Sequence, residues 1–521
     1  MGSSHRRRMA ALALMVILSR LTGLVDRPGR SELIYFRKGG AVQLPATVQG
    51  DRVILSLPDT TIELLPEDIR KRLPGFWPEA EWAARRQQAQ AGGFAARYAV
   101  AWWAIENGLT REGADELRAL HAVDPNHGPT ARMVAVLDRL DRPCADPDLA
   151  GFRQALGITT KVARGPHVIL LHQHSDAEAT ERIALLERVL LGYHLLFAAE
   201  GVELAVPRHR LMSAWFAERR DYLAFLHQQE AEAFVTTNGY FHPTWDAVVA
   251  FDARSMATQQ TARDALRARR EELGRFAARL DGLPARARLR VKLADEPART
   301  VGGVEGRALL HRLERELAYQ TALLDLDWRA IDLGTAAHEM VHQLAADSGL
   351  LPRHDAFPYW LHEGLAAQFE VIRGGRWAGL SRAHDLRLPD WRKIQPPPQL
   401  ERLIRDAGFG RGYQRALYAQ AWALVYYLRA RHPDRFLRFL DLLRSPASDD
   451  DTSLPQARAD RVFGAFQRAF GSDIAGLERD WHRFMAGIQT PLEQYAPTAL
   501  PDAKPSTPDL PNRQNRPGPA N

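Results

Sequence analysis

The sequence predicts an α+β protein rich in helix. Three observations carry this reading. Residues 31–65 alternate apolar and polar side chains in short runs, the pattern of a small antiparallel sheet. From Trp77 the apolar spacing changes to a helical period. Further on, compact apolar runs such as His167–His172, Leu211–Phe216 and Ala247–Phe251 are interleaved with long helical segments.

A chain of 521 residues is long enough for about three domains. Its 45% hydrophobic and 25% charged content is that of an ordinary globular protein. The single cysteine, Cys144, excludes an intrachain disulfide framework. The formal net charge is +6, but the basic residues are mostly arginine, spread along the chain and interleaved with Asp and Glu. A nucleic-acid interface needs a clustered basic stripe. None is present, so nucleic acid is not an expected partner.

Residues 1–30 read as a signal peptide or N-terminal anchor. Arg6, Arg7 and Arg8 precede an apolar run from Met9 to Leu18, which is too short to span a bilayer. The alternatives are a basic leader without structure, or a true start at Met9. The expectation is export to the periplasm or cell envelope, or anchoring, with membrane contact only through this segment.

Residues 31–75 form the small β module, with turns at Gly39-Gly40 and Pro58-Asp59. Residues 76–145 carry candidate helices Glu79–Ala91, Phe94–Asn107, Arg111–Val123 and Pro129–Leu140. Their short connections suggest helical hairpins of tetratricopeptide type, a surface that can bind a partner protein. Trp102 and Trp103 read as core.

A mixed sheet follows over 160–300. It has strands at His167–His172 and Leu211–Phe216, and hairpin strands at Ala233–Thr237, Gly239–His242 and Ala247–Phe251. Ser175-Asp-Ala-Glu178 is a capping box opening a helix to about Glu200. His172 and His174 share a strand face, but no third ligand stands nearby in sequence. The pair reads as a polar strand end rather than a second metal site. Arg254–Leu280 is a charged, solvated helix, and Ala308–Leu326 is another with a leucine stripe.

The chemistry concentrates at His338-Glu339-Met340-Val341-His342. On a helix capped by Asp332 or Thr335 and ended by Gly349, His338 and His342 lie one turn apart on one face. Two imidazoles at that spacing can hold one metal ion. Glu339 flanks them, where a carboxylate can take a proton from an attacking water. Met340, Val341 and Leu344 point the opposite way, into a core.

Twenty residues, 343–362, separate His342 from Glu363, which sits on a second helix beginning near Tyr359 or Trp360. A glutamate there gives a His₂Glu ligand set. The motifs His-Glu-Met-Val-His and Trp360-Leu-His-Glu-Gly-Leu-Ala366 resemble those of the gluzincins, the thermolysin- and aminopeptidase-like clan of peptidase MA type. More closely, Thr335-Ala-Ala-His-Glu and Pro358-Tyr-Trp-Leu-His-Glu-Gly-Leu-Ala are similar to an uncharacterised bacterial metallopeptidase family of planctomycete type. The local resemblance covers about 165–490.

The resemblance implies a zincin-like domain over 160–490: a mixed sheet, the ligand helices at 330–372 and a helical lobe at 399–490. It implies one Zn²⁺ held by His338, His342 and Glu363, with Glu339 as general base for hydrolysis of a peptide or protein substrate. Other third ligands fare worse. The metzincin position is Ser348, His354 precedes the second helix, and His362 points about 100° from Glu363. Thermolysin-like enzymes carry an Asp four residues after the ligand Glu, and here that residue is Ala367. A partner for a ligand histidine must come from elsewhere, with Gln368, Glu370 and Asp332 as candidates. The aminopeptidase motif Gly-x-Met-Glu-Asn is absent, which argues against exopeptidase action.

Relatives often place a hydrogen-bond donor to the reacting oxygen on a later helix. Tyr418, near the start of Arg415–Leu428, is the first choice, with Tyr413 and His354 as alternatives and Tyr426 and Tyr427 as core. Helices near Asp434–Leu443, Ala457–Phe470 and Asp473–Ile488 complete the lobe, and 497–521 reads as a disordered tail. Two rival readings keep the fold. One is a catalytically silent interaction protein. The other is a zinc hydrolase of a non-peptide amide or an ester.

Overall fold

The alternating residues at the start of the chain pair into a five-stranded antiparallel sheet. It comprises β1 (Ser31–Phe36), β2 (Ala41–Gln49), β3 (Arg52–Ser56), β4 (Thr61–Leu64) and β5 (Ile69–Pro74), in the order β4-β3-β2-β1-β5. The computed structural model describes residues 31–490 and 493, except 285, 295, 352–356, 381–382, 410–413 and 445–454. The expected leader (1–30) and tail (497–521), and the alternative residues His354 and Tyr413, lie outside the described residues. Strand β5 was not expected. Its sequence, Ile-Arg-Lys-Arg-Leu-Pro, lies on the sheet edge and buries no continuous apolar face, so it carries no strong alternation signal.

Four helices follow: α1 (Pro78–Ala91), α2 (Gly93–Glu106), α3 (Thr110–Val123) and α4 (Gly128–Leu140). They match the candidate helices to within a residue or two. Trp102 and Trp103 are only half-buried, at the margin rather than the centre. These helices share one apolar core with later segments of the chain: Ala101, Ile105, Leu117 and Leu137 belong to the same cluster as Met340, Val341 and Leu365.

Beyond the short α5 (Ala150–Leu156), the second sheet contains β6 (Lys161–Arg164), β7 (Val168–His172), β8 (Leu211–Phe216), β9 (Gly239–His242) and β10 (Ala247–Phe251). The order is β6-β7-β8-β10-β9. The central three strands are parallel, and β6 and β9 run antiparallel at the edges. The parallel crossover from β7 to β8 carries α6 (Asp176–Ala199), opened by the Ser175–Glu178 capping box. Next come α7 (Arg219–Gln228) between β8 and β9, and α8 (Ala257–Asp281) after β10. The expected strand at Ala233–Thr237 is not formed. A 3₁₀ turn spans Glu232–Phe234, with Phe234 stacked on Tyr240 at 4.5 Å. Because β9 ends the sheet, that apolar run has no strand to pair with.

After the small hairpin β11 (Leu289–Val291) and β12 (Arg299–Val301), a single helix, α9 (Gly303–Asp347), runs for 45 residues. This corrects the expectation of two helices. Residues 327–335 contain no proline, and one glycine costs only about 1 kcal/mol relative to alanine, so the helix continues. Asp332 is therefore not an N-cap. It is 1% exposed, receives Arg182 Nη2 at 2.5 Å and sits inside the protein. The first half of α9 packs on the β module, where Phe36 stacks on Tyr319 at 4.4 Å. The second half crosses the mixed sheet.

The chain then forms α10 (Tyr359–Ala366), the hairpin β13 (Ile372–Arg373) and β14 (Arg376–Trp377), α11 (Arg387–Arg392) and α12 (Leu400–Ile404). The lobe closes with α13 (Arg415–Arg431), α14 (Pro433–Arg444), α15 (Pro455–Phe470) and α16 (Ile474–Ala486). The protein is α+β and helix-rich. Among the described residues, no helix is long and apolar enough to cross a membrane.

Candidate metal centre

Near its end, α9 presents two faces. Ala336, Ala337, Met340, Val341 and Leu344 are almost fully buried in the core. His338, Glu339 and His342 line the other edge, with the His338 and His342 rings 4.8 Å apart. The one-turn spacing thus places both imidazoles together, as the sequence implies.

Helix α10 brings in Glu363. Pro358 occupies its N-cap without a side-chain hydrogen bond. The cap comes instead from Asp406, whose carboxylate accepts from Tyr359 N at 2.7 Å and Trp360 N at 3.0 Å. A carboxylate at this end also complements the helix dipole. Gly364 lets α10 lie against α13, since a Cβ there would stand 2.4 Å from the Ala421 carbonyl oxygen. Trp360 is fully buried and donates Nε1–H to Ile404 O at 3.1 Å.

The result is a compact donor triangle. Glu363 Oε2 lies 3.0 Å from His338 Nε2 and 3.8 Å from His342 Nε2. One ligand atom from each of the three residues falls within 4.8 Å of the others, so the group can hold a metal ion. Metal–ligand bonds of about 2.0–2.2 Å in a tetrahedral site put neighbouring donors roughly 3.3 Å apart, which the two contacts bracket. Among the described residues, no second such group occurs, and the His172–His174 pair is not part of one. Their rings are 6.4 Å apart.

Of the three candidate partners for a histidine of this group, the one that contacts His338 is Glu370. Its Oε2 lies 2.7 Å from His338 Nδ1, leaving Nε2 directed at Glu363. Oε1 accepts from His384 Nε2 at 2.8 Å and Arg387 Nε at 2.7 Å. Burial alone would raise the Glu370 carboxyl, but Arg387, His338 and His384 outweigh it and hold it well below the usual carboxylate range. The other two candidates serve elsewhere: Gln368 bonds the carbonyls of Gly364 and Trp422, and Asp332 pairs with Arg182. His384 and Arg387 were not singled out from sequence. No local pattern ties them to a glutamate fourteen and seventeen residues earlier.

Glu339 is 9% exposed. Burial raises its carboxyl above the ordinary value, against the pull of His338 and His342. Burial also disfavours a charged His338, but hydrogen bonds to Glu363 and Glu370 reverse this and raise it well above the usual imidazole value. Tyr418 stands beside the centre, its ring 6.5 Å from that of His338 and inclined by 29°. His362 lies 6.2 Å from the His342 ring and outside the donor triangle. Tyr427 is buried, and Tyr426 packs against the core.

Residues 332–447 match the model of a family described as "Protein of unknown function (DUF1570)". The matched segment contains His338, Glu339, His342, Glu363, Glu370, His384, Arg387 and Tyr418. No curated protein matches the chain.

Proposed function

We propose that the protein is a zinc-dependent endopeptidase of gluzincin type. The observation that carries this reading is the buried Glu339 next to the His338, His342 and Glu363 donors. A purely structural metal site has no use for a carboxylate in that position.

Zinc, when bound, supplies a Lewis acid for the scissile carbonyl and lowers the pKa of water. The other work falls to side chains. Glu339 takes a proton from the attacking water and returns it to the leaving amine. Burial raises its carboxyl above the ordinary value, the direction that favours holding the proton between the two transfers. Tyr418 donates a hydrogen bond to the carbonyl oxygen as that atom takes on charge. Strand β9 is the end strand of the mixed sheet, the position from which a strand receives an extended peptide by main-chain hydrogen bonding. Residues 1–30 direct the protein to the periplasm or cell envelope, or anchor it to the membrane.

The test is cleavage of a diverse peptide library by zinc-loaded wild type and Glu339→Gln. Wild type should cleave, and the variant should lose at least about 10²-fold in activity with zinc retained. A folded, zinc-loaded wild type that cleaves nothing would instead favour an interaction protein.

A further inference from the structure

We infer that Arg387 is a positioning residue that sets two parts of the centre at once, the ring of His338 through Glu370 and the ring of Tyr418 through direct contact. This rests on the zinc reading above.

The side chain of Arg387 is 11% exposed. Its Nε–H donates to Glu370 Oε1 at 2.7 Å, while the guanidinium carbon lies 5.4 Å from the centroid of the Tyr418 ring. A planar guanidinium can do both, donating along its edge while its face lies against an aromatic ring. An ammonium can supply the charge but not the plane.

The hydrogen-bond directions follow from the surrounding backbone. His384 Nδ1 accepts from Leu386 N at 3.1 Å and Arg387 N at 3.3 Å, so the His384 proton is on Nε2 and points to Glu370. Glu370 is thus an acceptor toward His384, Arg387 and His338 alike. That fixes the proton of a neutral His338 on Nδ1 and leaves the Nε2 lone pair for the metal. Arg387 Nε–H, donating to Oε1 at 2.7 Å, holds the Glu370 carboxyl group in the orientation that this role requires.

The segment bearing Arg387 is itself anchored. Arg373 donates to Asp385 Oδ2 at 2.5 Å and Ala383 O at 3.0 Å, and Trp391 packs on Trp481 at 4.6 Å. One anchored segment therefore reaches both Glu370 and Tyr418.

The test uses the full-length protein and Arg387→Gln, Arg387→Lys, Tyr418→Phe and Arg387→Lys/Tyr418→Phe. Two readouts need no turnover: zinc affinity by chelator competition, and the Kd of acetohydroxamate for the zinc-loaded protein. Arg387→Gln is expected to lose roughly 10-fold or more in zinc affinity. Arg387→Lys should keep zinc affinity but weaken acetohydroxamate as much as Tyr418→Phe, with no further loss in the double variant. Unchanged zinc affinity in Arg387→Gln, or additive losses in the double variant, would overturn the inference. Failure of wild type to bind zinc would overturn the metal reading, and this inference with it.

Discussion

Glu370 Oε2 lies 2.7 Å from Nδ1 of His338, on the side of the ring opposite Glu363. Helix α9 is thus held at His338 from outside the donor triangle by a carboxylate that the chain supplies only after α10 has ended. Replacing Glu370 with glutamine removes the charge that His384 and Arg387 converge on. The expected outcome is a 10–100-fold loss of zinc affinity, read by competition with a chromophoric chelator, with the fold retained by circular dichroism.

Zinc binding should release protons near neutral pH. Glu363 and Glu370 raise His338 well above its ordinary value in the metal-free protein. Below that raised pKa, zinc must displace a proton, so its affinity should climb as pH rises through the neutral range. Calorimetry in buffers of different ionisation enthalpy reads the protons released. The sign for stability is opposite. A raised histidine pKa stabilises the metal-free fold below about pH 6.5, and the contribution is lost as pH rises through the folded pKa. Affinity independent of pH would count against the pairing.

Asp406 caps α10 from a segment 47 residues away in sequence. Asp406→Ala should cost about 1 kcal/mol of stability, the usual worth of a cap. It should also weaken zinc binding, because the freed helix end carries Glu363. Thermal denaturation with and without zinc separates the two effects, and the zinc-induced rise in Tm should shrink.

Asp332 and Arg182 are 1% and 2% exposed and joined at 2.5 Å. Asp332→Ala leaves a buried guanidinium without its partner and should cost about 3–5 kcal/mol. Replacing both, as Arg182→Met with Asp332→Leu, should restore much of that loss. Urea denaturation of the three proteins provides the comparison.

Legibility in the sequence followed the range of the interaction. His338, Glu339 and His342 are one turn of one helix, so a local period suffices to find them. Glu363 was legible because Pro358 and Trp360-Leu-His mark a second helix at a set distance. The role of Glu370 was not, since Gln368, Glu370 and Asp332 are equivalent until the chain turns back after Ala367. Asp332, like Thr335, reads as a cap because such residues favour that place locally, but the partner of Asp332, Arg182, comes from α6. The strand expected at Ala233–Thr237 failed for the related reason that pairing depends on where the sheet ends.

The most direct test of the metal centre is an equilibrium zinc titration of metal-free wild type beside Glu363→Ala, with stoichiometry and affinity measured together. Wild type should bind one zinc per chain, and removal of Glu363 should cost at least about 10²-fold in affinity with the protein still folded. Full zinc affinity in Glu363→Ala would contradict it.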